Sequence, residues 1–386
     1  MNVKIAGIIA EYNPLHRGHI YHSARTRALS GCDYVVCALG GAFTQRGEAA
    51  VFDKYARVKM ALMAGADAVI ELPQVYALRP AQLFARGGVG VMNKIGADVL
   101  SFGCETDDAE LLLKARFAVN NPDRAALKQA LARGESYPKA LSSAAAGEDA
   151  ALKVLLSAPN FLLALEYINE IERASSPIEI CPVRREGGYH DEASLLSATG
   201  VRARLLKGNL SGATEGLPSE IAQTYAGEAS KGLPDMNRLD ALMLNALRNM
   251  DVSLVSSPDD SEGLINRVKK AALSSGTFEE ALFKVKCKRY TLSRVRRLMM
   301  DAVLRLPQAP SEVPYVRLLG ARRASEPLLR ELKARSGGAL TSGTRLIRDD
   351  PVFLAECRAT DLWGLMSANP EYRAAGREFT AGTLYV

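Results

Sequence analysis

The chain has 386 residues, 48% of them hydrophobic and 24% charged, which is the composition of a globular protein long enough for two domains or at most three. No apolar stretch approaches the roughly 18–20 residues of a membrane span, and Glu11 breaks the opening apolar run before a signal core develops, so a soluble cytoplasmic protein with no membrane partner is expected. The net charge of +6 is unevenly held: residues 1–230 carry 24 Lys+Arg against 25 Asp+Glu, and residues 231–386 carry 25 against 18. An excess of +7 confined to the last two-fifths of the chain points to a polyanionic partner docking there.

Taken in chain order, the first half alternates apolar runs with helical patterns. Val3–Ala10, Asp33–Leu39, Asp67–Leu72, Asp98–Gly103 and Ile178–Val183 are near-continuous apolar runs, as strands covered on both faces are. Helix-like segments lie between them around 18–29, 53–65, 80–95, 107–119, 123–134 and 159–173. This alternation predicts a doubly wound α/β domain on a parallel sheet, with ligands at the carboxyl ends of its strands. The domain is read as residues 1–205. Residues 206–230, rich in Gly and followed by Gly232-Leu233-Pro234, read as a connection. The remainder, 231–386, reads as a mainly helical basic domain, with helices around 236–249, 261–274, 277–287, 291–305, 324–335 and 352–367 and a short strand candidate at Tyr315–Leu319. Cysteines 32, 37, 104, 181, 287 and 357 form no CxxC pair and no zinc spacing, so reduced and mostly buried thiols are expected.

The first strand runs into Glu11-Tyr12-Asn13-Pro14-Leu15-His16-Arg17-Gly18-His19, and three of the four histidines (16, 19 and 22) fall within seven residues. Pro14 keeps Asn13 out of the helical region, so the chain turns at the strand end and a helix starts just beyond. Gly18 allows close approach of a ligand to the backbone. The helix N-terminus offers free N–H groups and partial positive charge to an anion, and histidines three residues apart share one face of its first turn. Imidazoles so placed suit a polyphosphate under attack at its α-phosphorus, where positioning and electrostatics suffice. A metal site is the other use of such a pattern, but no carboxylate or cysteine stands at ligand spacing, and no protein metal ligand is expected.

The NPxHxGH run resembles the HxGH signature of the nucleotidylyl transferase superfamily. More narrowly, GIIAEYNPLHRGHIYH, GAFTQRGEAAVFDKYARVKMALMAGADAVIELP, FGCE, PNFLLALEYI, YHDEASLLSATGVR and KRYTLSRVRRLM resemble, in order, blocks of the bacterial tRNA(Met) cytidine acetate ligase family. The resemblance is strong over about 1–205 and continues to 386. It implies a Rossmann-like HxGH fold and a two-step reaction. ATP, with Mg²⁺ expected, activates acetate as acetyl-adenylate, and the acetyl group passes to N4 of the wobble cytidine of elongator tRNA(Met). No protein partner is implied.

Carried over residue by residue, the resemblance implies an ATP loop of Ile9, Ala10, Glu11, Tyr12, Asn13, Pro14, His16, Gly18, His19 and His22. It also implies nucleotide contacts from Gly103, Asn160 and Arg184, and from Arg185, which stands where a hydrophobic residue is usual. Ser197, Thr199 and Arg202 match a Ser-x-Thr-x-x-Arg motif that would grip the departing pyrophosphate, so the catalytic set is His16, His19, Ser197, Thr199 and Arg202. Gln45, Arg46 and Lys54 fall where a substrate loop would lie; a solvated charge run is the competing reading. Glu71 could orient either Arg46 or Lys54, and His190 is open between a structural and a functional role. Ala42, Ala49 and Cys104 depart from the family's Asn, Pro and Ser.

In the basic half, Lys284, Lys286, Lys288, Arg289, Arg294, Arg296 and Arg297 crowd into fourteen residues with Tyr290 among them. They are expected to form a cationic tRNA-binding face, with the tyrosine stacking on an unpaired base and binding that weakens with salt. Arg322, Arg323, Arg345 and Arg348 would extend it. Alanine at 296 and 297 should then abolish tRNA binding and spare adenylation, and His19→Ala should do the reverse. Two other readings are a nucleotidyltransferase with a different acceptor and a non-catalytic RNA-binding protein on the same scaffold.

Overall fold

The five apolar runs of the first half become parallel strands; the first four bury side chains on both faces and need helices above and below, and the fifth is a partly exposed edge. The computed structural model describes residues 3–135, 137–185 and 197–386. β1 (Ile5–Ala10) lies between β2 (Tyr34–Gly40) and β4 (Val99–Cys104), with β3 (Ala68–Leu72) outside β2 and β5 (Glu179–Arg184) outside β4. The register pairs Ile5 with Tyr34 and Ala10 with Leu39 on one side of β1, and Ala6 with Val99 on the other.

The sheet is mixed rather than wholly parallel. The strand candidate at 315–319 forms as β6 (Val316–Ala321) and runs antiparallel to β3, and β7 (Leu340–Thr341) and β8 (Leu384–Tyr385) pair with β6. The C-terminal part therefore completes one edge of the same sheet. Two-residue strands carry no alternating pattern, which is why β7 and β8 left no trace in the sequence.

Three of the helices that frame the molecule start where the sequence supplies a capping side chain. Asp53 accepts from Tyr55 and Ala56 N–H at the start of Lys54–Met63, and Thr291 caps Leu292–Leu304. Asp350 with Pro351 opens Pro351–Met366. The Ala81–Lys94 helix lies close on β1 because Gly88 has no side chain; a Cβ there would fall 2.4 Å from Ile9 Cδ1.

Residues 206–230 are more than a tether. They hold the helices Leu210–Thr214 and Ser219–Ser230, and Ile221 and Tyr225 on the second are buried against Phe52 and Leu15. The Tyr225 hydroxyl donates to the Leu15 carbonyl, directly beneath the histidine turn.

Candidate active site

The winding reverses at β1. The chain adds β2 and β3 on one side and returns to place β4 and β5 on the other, which opens a crevice at the carboxyl ends of β1 and β4. A cavity of about 250 Å³ occupies that crevice. Its wall brings together Ile9, Ala10, Glu11, Tyr12, Asn13, His16, His19, Gly103, Asn160, Arg185, Ser197, Thr199 and Arg202, with Gln45 and Arg46 facing them. His22 and Gly18 line a smaller cleft beside it with Gly103 and Arg185.

The helix Arg17–Ser30 is capped by imidazoles. His16 Nδ1 accepts from the Gly18 N–H at 3.1 Å, and His19 Nδ1 accepts from the His16 N–H at 3.2 Å. An imidazole nitrogen that accepts a backbone N–H is unprotonated, so in a neutral ring the proton is on Nε2. The helix start thus supplies two oriented Nε2–H donors in addition to its own N–H groups. The two rings lie with centroids 3.8 Å apart, and Tyr12, at φ 45°, sets its ring edge-on to His19 at 4.8 Å.

Burial, with the nearby Arg185 and Arg202 guanidiniums, lowers the pKa of His16 to about 3. Burial and the cationic neighbours also hold His19 well below the usual imidazole range and His22 at about 4. The rings are therefore neutral donors at physiological pH, and arginines carry the positive charge of the site. His22 is turned to Ser101, with Nε2 3.0 Å from its Oγ, and Ser101 is in turn 2.7 Å from Thr26 Oγ1.

Ser197 caps the helix Ala198–Leu206 by accepting from Gly200 N–H. One turn on, Arg202 donates to the Asn13 carbonyl at 2.5 Å and to Thr199 Oγ1 at 3.4 Å. That arginine ties the Ser-x-Thr motif to the turn after β1. Asn160, at the start of Pro159–Arg173, donates to Glu105 at 3.0 Å.

The segment after β2 forms a tight hairpin, Phe43 bridging to Ala49 and the Gly47 N–H bonding Thr44 O. Its Gln45 N–H donates to the Glu11 carboxylate at 2.5 Å, and burial raises the Glu11 pKa.

Three expected positions lie elsewhere. Lys54 does not reach the cavity: its ammonium is buried with Glu71 (3.1 Å), Glu356 (3.0 Å) and Glu378 (2.5 Å), which answers the choice between Arg46 and Lys54 in favour of the latter. Arg184 is exposed at the end of β5, and Pro14 forms a cis peptide with Asn13 without lining the cavity. His190 is outside the described residues.

Sequence reasoning missed several contributors. Phe84, Phe102, Leu163 and Tyr167 form an apolar wall; Leu163 and Tyr167 stand four residues apart, a spacing that with Asn160 marks one helix face. Arg57, 1% exposed, donates to the carbonyls of Phe52 (3.1 Å), Glu11 (2.8 Å), Gly40 (2.9 Å) and Gly41 (2.5 Å), fastening the ends of β1 and β2. Its signal is a cation on the apolar side of a helix.

The basic cluster divides. Lys284, Lys286, Lys288 and Arg289 are exposed. Tyr290 is 4% exposed, beneath the guanidiniums of Arg267, Arg289 and Arg294 at 5.3–5.8 Å, so its ring is not offered to a base. Arg294 bonds Asp259 O and Ser261, and Arg296 and Arg297 turn inward to the 43–49 hairpin.

Residues 3–378 match the HIGH Nucleotidyl Transferase family. The tRNA(Met) cytidine acetate ligase of Acetivibrio thermocellus is 34% identical over 98% of this chain and 99% of its own length. That of Bacillus subtilis is 33% identical over 86% of this chain and 85% of its own. The crystal structure of Thermotoga maritima TmcAL bound with alpha-thio ATP superimposes with a TM-score of 0.88 at 28% identity over 99% of both chains, and the apo form gives 0.89 over 100% of both.

Proposed function

The chain belongs to the HIGH nucleotidyl transferase family and to the tRNA(Met) cytidine acetate ligases within it, and from that premise we propose that it joins acetate to ATP and then to the wobble cytidine of elongator tRNA(Met). It is an ATP-binding ligase whose nucleic-acid substrate is tRNA(Met). In the first step an acetate oxygen attacks the α-phosphorus, the bond from that phosphorus to the bridging oxygen breaks, and pyrophosphate leaves. In the second, N4 of the cytidine attacks the acetyl carbonyl, the acyl–phosphate bond breaks, and AMP leaves with the electron pair while N4 loses a proton.

The observation that carries this reading is the convergence of two Nε2–H donors, from His16 and His19, with Ser197, Thr199 and Arg202 at the β1–β4 crevice. The histidines bind phosphate oxygens as neutral donors and gain strength as charge builds on the transferred phosphorus. Arg202 and Thr199 hold the pyrophosphate as it departs. The apolar wall of Phe84, Leu163 and Tyr167 keeps water from the mixed anhydride. Mg²⁺ is expected with ATP. Among the described residues no three of His, Cys, Asp and Glu gather to hold an ion. Among the described residues the pocket carboxylates are Glu11 and Glu48, engaged by Gln45 N–H and Arg296, so of these neither is offered to the ion and phosphate oxygens would carry it.

The test is acetate-dependent exchange of labelled pyrophosphate into ATP by the purified protein without tRNA; active, ATP-binding protein that shows none defeats the activation step. Nucleoside mass spectrometry of tRNA from a deletion strain then checks the acceptor, since persistence of N4-acetylcytidine would assign it to another enzyme. The dinucleotide-forming and non-catalytic readings draw no support from relatives that match the chain along nearly all its length.

A further inference from the structure

Two of the arginines expected to hold RNA are spent on the wall of the ATP cavity. From the helix Leu292–Leu304, Arg296 Nη1 pairs with Glu48 at 2.9 Å, and Arg297 donates to the Gln45 carbonyl at 3.3 Å. Arg297 is itself fixed by a two-pronged bond to the buried Asp259, both contacts 2.7 Å. The hairpin comes close enough because Gly47 has φ +78°; a Cβ there would stand 3.0 Å from Arg296 Cγ and 3.2 Å from the Arg297 backbone nitrogen. The other side of this hairpin is the Gln45 N–H bond to Glu11, beside the histidine turn.

We propose that Arg296 and Arg297 are positioning residues for the activation step: they hold the 43–49 hairpin so that Glu11, Gln45 and Arg46 face the nucleotide before any tRNA arrives. This rests on the activation chemistry proposed above. It replaces the division in which the basic half serves RNA alone. The bidentate Arg297–Asp259 pair has the geometry of a fixed strut, not of a mobile phosphate-seeking side chain. An RNA phosphate reaching Arg296 would have to displace Glu48, so docking on this helix and the shape of the cavity are mechanically linked.

The decisive variant is Asp259→Asn, which loosens Arg297 yet removes no positive charge and touches no cavity atom. In the full-length protein without tRNA, Asp259→Asn, Arg296→Ala and Arg297→Ala should each lower kcat/KM for acetate-dependent exchange about 10- to 100-fold, the scale of a small misplacement at a reacting centre. Arg296→Lys, which keeps a cation for Glu48, should recover most of the Arg296→Ala loss, a rescue that global unfolding would not permit. The slope of tRNA affinity with salt should be unchanged in Asp259→Asn.

Trp363, the single tryptophan, donates Nε1–H to Ala50 O at 2.7 Å at the hairpin's base, so its fluorescence offers a second readout during ATP titration. If wild type exchanged no pyrophosphate, the activation reading would fail alone. The inference would still be judged by whether the three variants weaken the ATP-induced Trp363 signal about tenfold, the lower end of the same misplacement scale. Wild-type exchange and wild-type ATP response in the variants, with only tRNA affinity lost, would overturn it and return both arginines to the RNA surface.

Discussion

His16 and His19 each use one ring nitrogen for the fold and leave the other for chemistry. Asparagine reproduces the Nδ1 position of histidine but has nothing at Nε2, so it separates the two roles. His16→Asn should keep the helix start, since Asn is among the best N-caps, with unfolding free energy within about 0.5 kcal/mol of wild type. Pyrophosphate exchange should nonetheless fall by about 10²- to 10³-fold, the usual loss when one preorganised donor to a transition-state oxyanion is removed. Urea denaturation and exchange kinetics on one preparation check both halves. The same burial that fixes these rings lowers the His16 pKa to about 3 and the His22 pKa to about 4, with Arg185 adding to both. The free enzyme therefore carries neutral imidazoles from pH 5.5 upward, and kcat/KM for ATP should show no imidazole ionisation between pH 5.5 and 8. An inflection near the ordinary histidine value that persists in Glu356→Gln and is lost in His16→Asn would mean that a protonated ring is the binding species.

The helix Ser219–Ser230 shows how a supporting element can pass for a linker. Glycine and proline flank it and only Ile221 and Tyr225 on it are buried, too narrow a stripe for periodicity to detect. Yet its tyrosine hydroxyl satisfies the buried Leu15 carbonyl. Tyr225→Phe leaves that acceptor unpaired and should cost about 1–3 kcal/mol in urea unfolding, with a raised KM for ATP because the histidine turn loses its prop. By contrast, β1 to β5 were legible because each is a near-continuous apolar run, and the histidine turn because its chemistry is contiguous in the chain. Phe84, Phe102 and Tyr167 were not legible as site residues, since each reaches the cavity from a different element and only the strand order brings them together. Arg296 and Arg297 were visible as charge; charge density does not say which face of a helix they occupy, and here the inward face won because Glu48 and Asp259 wait there.

Across the whole molecule, the two halves are joined by a buried ion cluster that sets how stability follows pH. Lys54 and Arg317 face Glu71, Glu356 and Glu378, so two cations meet three carboxyls, all nearly without solvent contact. Tyr55, Tyr315 and Thr360 complete the cluster with hydroxyls on Glu378 and Glu71. The surplus acid is Glu356, whose pKa burial, abetted by the other two carboxylates and opposed by Lys54, pushes up to about 7. Glu378 moves the other way, to about 2, because Lys54 and Arg317 outweigh its burial. A carboxyl raised in the folded state binds its proton more tightly there than in the unfolded chain, so its contribution favours folding at low pH and is lost as pH rises from about 4.5 to about 7. Glu378 contributes stability at neutral pH that is lost only as pH falls from about 4.5 towards 2. Glu356→Gln carries no proton to lose. Its unfolding free energy minus that of wild type cancels the titrating groups outside the cluster, and this difference should move in the variant's favour as pH rises from 5 to 7 and level off above. The reading fails if urea midpoints show no pH trend in the difference, because Glu356 would then be ionised throughout. Since Glu356 also accepts the Gln74 N–H at 2.7 Å, and the Gln74 side chain holds both the N–H and the carbonyl of Phe43, the same proton lies one residue pair from the hairpin of the cavity. A shift in the pH profile of exchange in Glu356→Gln, with His16 and His19 intact, would show that the cluster joining the halves also sets the shape of the site between them.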